Sequence, residues 1–232
     1  MINNLIKEFD LTADSKKAEN LSRFFKTGRG QYGEGDMFLG IMVPTQRMLA
    51  KKYFKDLSMR DISFLLKNKI HEYRLTALFM LILKFNKADE LDQKKIFNFY
   101  LKNTKKINNW DLVDLSAPNI IGKYLVNKDQ TIIYRLSQSK NLWEKRISVL
   151  ATFPFIKLGV FKPTLKIAET LIDDKHDLIQ KAVGWMLREL GKRNLKIEED
   201  FLKKHYKTMP RTALRYAIEK FPESKRQFYL KK

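Results

Sequence analysis

Residues 107–118, INNWDLVDLSAP, place a tryptophan and two aspartates at the start of a helical segment in a chain whose formal net charge is +20. With Asn109 as N-cap and about 100° per residue, Trp110, Val113, Ala117, Ile120, Ile121 and Tyr124 form an apolar arc. Asp111 falls at the edge of that arc within the first turn, where a carboxylate complements the helix dipole and needs no further role. Asp114 falls inside the arc, about 40° around from Trp110. A carboxylate there is partly desolvated and needs a cation, either a neighbouring side chain in a structural ion pair or positive charge on a ligand.

Arg146, in NLWEKRISVLATFPF, projects among Leu142, Val149 and Phe153 and so needs an anion. Two candidates satisfy it: Asp114, or a phosphate gripped bidentately by the guanidinium. In HDLIQKAVGWMLREL the core stripe is Ile179, Ala182, Val183, Met186 and Leu190, which leaves Trp185 beside Lys181 and Arg188. A helical tryptophan is ordinarily a core residue. One that shares a face with two cations suits contact with a sugar or a base. Upstream, GRGQYGEGDMFLGIMVPTQR carries five glycines between residues 28 and 40 but has neither the spacing nor the preceding strand of a phosphate-binding loop. It reads as a tight connection that docks Phe38 and Leu39 before a helix starting near Pro44. Arg29, Arg47 and Lys51 could meet a nucleic-acid backbone there.

These residues lie on segments that pair up along the chain. Nearly everything after residue 44 has helical spacing, and strand-like alternation is hard to find, so the predicted class is all-α. Five helix pairs can be laid out between residues 58 and 221, and aligning their second helices sets Arg74, Asp111, Arg146 and Lys181 at offsets of 37, 35 and 35 residues. A period of that kind predicts a right-handed superhelical solenoid of HEAT-like helix-pair repeats with a basic concave face. One domain over 1–232 is expected, with N-terminal helices at about 1–55 capping repeats at about 58–232. Ser58 with Asp61 reads as a capping box, and Pro118 and Pro154 should bend the second helices that hold them.

Composition narrows the function classes. There are 46 basic against 26 acidic residues, the electrostatic footprint of a phosphate-rich partner, although a lysine-rich composition can arise without one. Cysteine is absent, which removes disulfides, thiolate metal sites and thiol nucleophiles, and the three histidines are far apart in sequence. No run of about 18 apolar residues and no signal-peptide pattern appears, so a cytoplasmic protein that does not engage a membrane is expected.

The motifs YGEGDMFLGI at 32–41, NNWDLVD at 108–114, NLWEKR at 141–146, IQKAVGWMLRE at 179–189 and MPRTALRYAIEKFPESKR at 209–226 together resemble the AlkD-like DNA alkylation repair enzymes, HEAT-like repeat 3-methyladenine DNA glycosylases. The resemblance runs from about residue 20 to the C-terminus. It implies that Asp114 is the catalytic aspartate, that Trp110 and Trp185 contact the lesion's deoxyribose, and that Arg146 contacts a phosphate. It further implies a monomer that hydrolyses the N-glycosidic bond of N3-methyladenine and N7-methylguanine in double-stranded DNA, without metal or cofactor. Lys181, Arg188, Arg29, Arg47 and Lys51 are the expected DNA contacts. The competing expectation is a helical-repeat module that binds nucleic acid or protein through its basic face and catalyses nothing.

Overall fold

The computed structural model describes residues 1–231, and among them the chain is all-α; the nearest thing to a strand is a single parallel bridge between Met37 and Ile70. The helices are α1 (Ile2–Thr12), α2 (Ser15–Phe24), α3 (Val43–Tyr53), α4 (Met59–Leu66), α5 (His71–Lys87), α6 (Glu90–Lys102), α7 (Trp110–Ser116), α8 (Lys123–Leu125), α9 (Thr131–Ser137), α10 (Leu142–Leu150), α11 (Phe153–Lys157), α12 (Lys162–Thr170), α13 (Asp177–Gly191), α14 (Leu195–His205), α15 (Arg211–Ala217) and α16 (Glu223–Leu230). No described helix is long and apolar enough to cross a membrane. Contacts group the chain into two compact units, Met1–Leu112 and Val113–Lys232.

In the first unit α5 is the central element. Its apolar residues run almost all the way round, from Leu75 to Leu81 and on to Phe85, which is the pattern of a helix covered on every side. It packs against α3 and α4, and Phe9 of α1 meets Tyr73 with ring centroids 4.6 Å apart. The N-terminal helix therefore covers α5, with Leu5 and Phe9 fully buried. The capping box at α4 forms as its sequence suggests: Asp61 N–H donates to Ser58 Oγ at 3.2 Å, and Ser58 N–H donates to Asp61 Oδ2 at 2.9 Å.

One buried side chain ties down the end of the glycine-rich connection. Glu72 sits in the first turn of α5, and its carboxylate accepts from the backbone N–H groups of Leu39, Gly40 and Ile41 at 2.9 to 3.2 Å. Gly40 has φ +81°, and a Cβ there would lie 2.1 Å from the Asp14 carbonyl, so glycine is required both for the turn and for the approach of α2. Replacing Glu72 with Gln swaps one acceptor oxygen for a donor that faces N–H groups. Thermal unfolding should register a loss of about 1.5–3 kcal/mol, the usual worth of hydrogen bonds to a charged acceptor; an unchanged melting temperature would show that the loop holds itself.

In the second unit α13 is central and packs against α10, α14 and α15. Its predicted core stripe is buried throughout, and Gly184 and Leu187 join it. A Cβ on Gly184 would lie 2.3 Å from the Ala213 carbonyl, so the absent side chain is what lets α15 approach. The two proline-containing segments are irregular, as their sequences suggest. Residues Pro118–Gly122 form a π-helical turn, and the helix begun at Leu142 ends at Leu150 before restarting as α11 with Pro154 in its first turn. The two irregularities meet: a Cβ on Gly122 would stand 2.4 Å from the Ala151 carbonyl and 2.9 Å from Pro154 Cδ.

Candidate active site

Helix α7 carries the two aspartates, and the structure gives them different surroundings. Asp114 is held by Arg146 through a two-pronged ion pair: Oδ1 accepts from Nε at 2.8 Å and Oδ2 from Nη2 at 2.7 Å. Arg146 reaches it from α10, a helix whose start is fixed by Asn141 Oδ1 accepting from the N–H groups of Trp143 and Glu144. Its remaining prong, Nη1, donates to the carbonyl of Leu178 in the first turn of α13. The guanidinium is 6% exposed and the carboxylate 14%, so the cation is enclosed while an edge of the anion stays open. Asp114 thus supplies an anion for the guanidinium that periodicity places on an apolar stripe.

That open edge borders a cavity of about 180 Å³ lined by Asp114, Asn119, Lys123, Phe153, Lys157 and Trp185, with Pro118, Leu150, Pro154 and Met186 completing the wall. Asn119 and Lys123 come from the π-turn and the residue after it, Phe153 and Lys157 from the restarted helix α11, and Trp185 from α13. The irregular turns thus supply Asn119, Lys123 and Lys157 to the lining. Trp185 is half-buried, and its indole N–H donates to Glu189 Oε1 at 3.2 Å, which fixes the ring plane by a partner one helical turn further on.

Asp111 is buried in the first unit and bonded to a histidine. Its Oδ2 lies 2.8 Å from His71 Nε2, and the other ring nitrogen, Nδ1, lies 3.2 Å from Asp36 Oδ2. Asp36 also accepts from Arg74 Nη2 at 2.5 Å and from Asn109 Nδ2 at 3.3 Å, while Arg74 Nη1 donates to Asn108 Oδ1 at 2.7 Å. Burial pulls the His71 pKa down, but the Asp111 and Asp36 carboxylates outweigh it and the net shift is upward. Burial pushes Asp36 up, and hydrogen bonds and charge from His71 and Arg74 carry it below the usual carboxylate value. An aromatic stack lies on this network: Trp110 stacks on Phe25 at 5.2 Å and meets Phe24 edge-on at 5.8 Å, and Phe25 and Phe38 both lie against the His71 ring. Trp110 is therefore fixed by the end of α2 and by the glycine-rich connection, whose Phe38 docks as expected.

The remaining sequence candidates are five cations. Arg29 and Lys51 are exposed, and Arg47 lies with its guanidinium 4.1 Å from the Phe79 ring centroid. Lys181 pairs with Asp177 at 2.6 Å, and Arg188 pairs with Glu219 and lies 3.8 Å from Glu189. The second unit accordingly brings Asp114, Arg146 and Trp185 together and gives Lys181 and Arg188 acidic partners. Sequence reading missed His71, Asp36, Glu72, Arg74, Glu189, Lys123 and Lys157. A signal was available for the first four: HEYR at 71–74 places three charged or titratable residues within one turn, more than one solvent face accounts for, and Asp36 follows two glycines in a segment otherwise read as a linker.

The chain belongs to the family of DNA alkylation repair enzymes, whose profile matches residues 5–221. It is thereby an enzyme of alkylated-DNA repair with a DNA substrate. A predicted DNA alkylation repair enzyme from Enterococcus faecalis superposes with a TM-score of 0.73 at 17% identity, over 91% of this chain and 98% of that one. AlkD2 from Streptococcus mutans superposes with a TM-score of 0.57 at 17% identity, over 90% of this chain and 99% of that one. A second Streptococcus mutans structure, smu.31, gives 0.57 at 17% identity, over 89% and 100%. At this identity the likeness establishes the fold. Comparison with curated proteins gives no match.

Proposed function

We propose that this protein is a DNA glycosylase that excises cationic alkylated purines such as N3-methyladenine and N7-methylguanine from double-stranded DNA by hydrolysing the N-glycosidic bond. The observation that carries this reading is the Asp114 carboxylate, oriented by a buried arginine and open on one edge to a cavity it shares with Trp185. In the reaction the bond between C1′ and the base nitrogen breaks with its electron pair going to the base. An alkylated purine carries a positive charge, so it departs neutral and needs no proton from the enzyme. Positive charge grows on the deoxyribose, and water adds at C1′ and loses a proton.

The roles follow from what each side chain offers. Asp114 stabilises the developing sugar cation electrostatically and orients the attacking water. Arg146 is a positioning residue: Nε and Nη2 grip Asp114 while Nη1 is anchored on the Leu178 carbonyl. The faces of Trp185 and Trp110 present negative quadrupole density to a cationic sugar. Lys123 and Lys157, on the cavity wall, suit flanking phosphates, joined by Arg29, Arg47 and Lys51 elsewhere on the surface. A carboxylate among phosphate-binding cations weakens ground-state DNA binding, so its use lies where cationic character is greatest, in the transition state.

The test is release of free N3-methyladenine and N7-methylguanine from methylated duplex DNA by the purified protein, with and without chelator. Release that chelator leaves unchanged is the expected outcome and includes the metal-independence of the reading. Intact methylated DNA together with salt-dependent DNA binding would favour a binding module whose Asp114 and Arg146 form a purely structural pair.

A further inference from the structure

A second cavity, of about 350 Å³, lies wholly within the first unit, where the end of α3, the start of α4, the end of α5 and the first turns of α6 converge. Its floor is apolar. Phe54 and Ile96 are nearly buried, Met59 adds a flexible thioether, and Ala88 closes one side. Its rim is cationic: Lys55, Lys84, Lys87 and Lys95 stand around it against one acid, Asp92. Asp92 is answered by Lys95 at 2.8 Å, which leaves Lys55, Lys84 and Lys87 without an ion pair among the described residues. Lys87 instead places its ammonium 5.0 Å from the Phe54 ring centroid.

We propose that this cavity is a docking site for an acidic peptide segment that carries one bulky apolar side chain. An apolar floor ringed by cations asks for two things at once, an apolar group to fill the cavity against Met59 and Ala88 and anions to meet the rim. A duplex backbone brings anions alone. A single-stranded base brings an aromatic face, but Phe54 is buried and has an ammonium close to its ring, so it offers no open platform for a base to stack on. A peptide with acidic residues around a phenylalanine or leucine meets both demands, and Met59 can adapt to the shape of the side chain that enters. The occupant is thus a protein partner with an acidic, locally apolar segment.

Fluorescence anisotropy with the full-length protein tests this directly. One labelled probe is a short peptide of aspartates around a central phenylalanine, and the other has serine in place of the phenylalanine. The phenylalanine peptide should bind about tenfold or more tightly than the serine peptide, the return expected for burying one aromatic side chain. Lys55→Glu and Lys87→Glu, both at exposed positions, should each weaken the phenylalanine peptide by about tenfold. Equal binding of the two peptides would reduce the site to diffuse charge and overturn the proposal, as would no binding at all. Oligothymidylate binding that displaces the peptide and depends on the same lysines would also overturn it, by making the cavity a nucleic-acid contact.

Discussion

Asp114→Asn is expected to release methylated purine about 10²–10³ times more slowly than the unaltered protein, the loss seen when one preorganised electrostatic group is removed from a reacting centre. DNA affinity should stay the same or rise, because the substitution removes a negative charge from a surface that meets phosphates. Single-turnover release together with a binding isotherm separates the two effects. Equal loss of binding and release would end the catalytic role for Asp114. Folding needs its own control, since the buried guanidinium of Arg146 is satisfied mainly by this carboxylate and stranding a buried charge costs about 3–5 kcal/mol. Asp114→Leu combined with Arg146→Met removes the whole pair and should recover most of that stability, as apolar replacements of buried ion pairs do. Base release should not recover with it. A double variant that regains both would show that the pair serves the fold alone.

His71→Leu should destabilise the protein by about 3–5 kcal/mol and change how stability varies with pH, because it strands the buried Asp111 carboxylate and takes one partner from Asp36, which keeps Arg74 and Asn109. The sign follows from the upward shift of His71. Stabilisation from a group whose folded pKa is raised is complete below its unfolded pKa of about 6.5 and is lost as pH climbs through the folded value. The unaltered protein should therefore weaken as pH rises from about 6.5 through the raised His71 value, and the variant should lack that decline. Asp36 acts at the other end: its folded pKa is lowered, so its contribution disappears as pH falls through that value. Urea unfolding across a pH series measures both limbs. An identical alkaline decline in the variant would show that His71 is neutral in the fold.

The all-α class and the pairing of helices were legible because the apolar spacing along α4, α12 and α13 follows the helical period and the apolar run of α5 is long. The core stripe of α13 shows this best, since each residue placed in it by projection is buried. The Asp114–Arg146 contact was half legible. Periodicity shows that each charge sits on an apolar stripe and needs a partner, but it does not say which partner arrives. The His71 network was hidden for a different reason. Asp36, His71 and Asp111 lie 35 and 40 residues apart in sequence, and helical period records which face a residue occupies, not what a connection such as 28–40 brings against it. Projection set Trp185 beside Lys181 and Arg188; the partner that fixes its ring is Glu189, and the lysines lining its cavity are Lys123 and Lys157.

The π-turn at Pro118–Gly122 bears on how relatives of this chain should be compared. Such a turn accommodates one residue more than an α-helix would over the same rise. A relative that runs this stretch as unbroken α-helix should be one residue shorter between the positions of Asp114 and Lys123, and aligning the two chains without a gap would set every position after the turn against the wrong neighbour. The length of this interval therefore indicates, from sequence alone, whether a related protein keeps the irregular turn from which Asn119 and Lys123 reach the cavity.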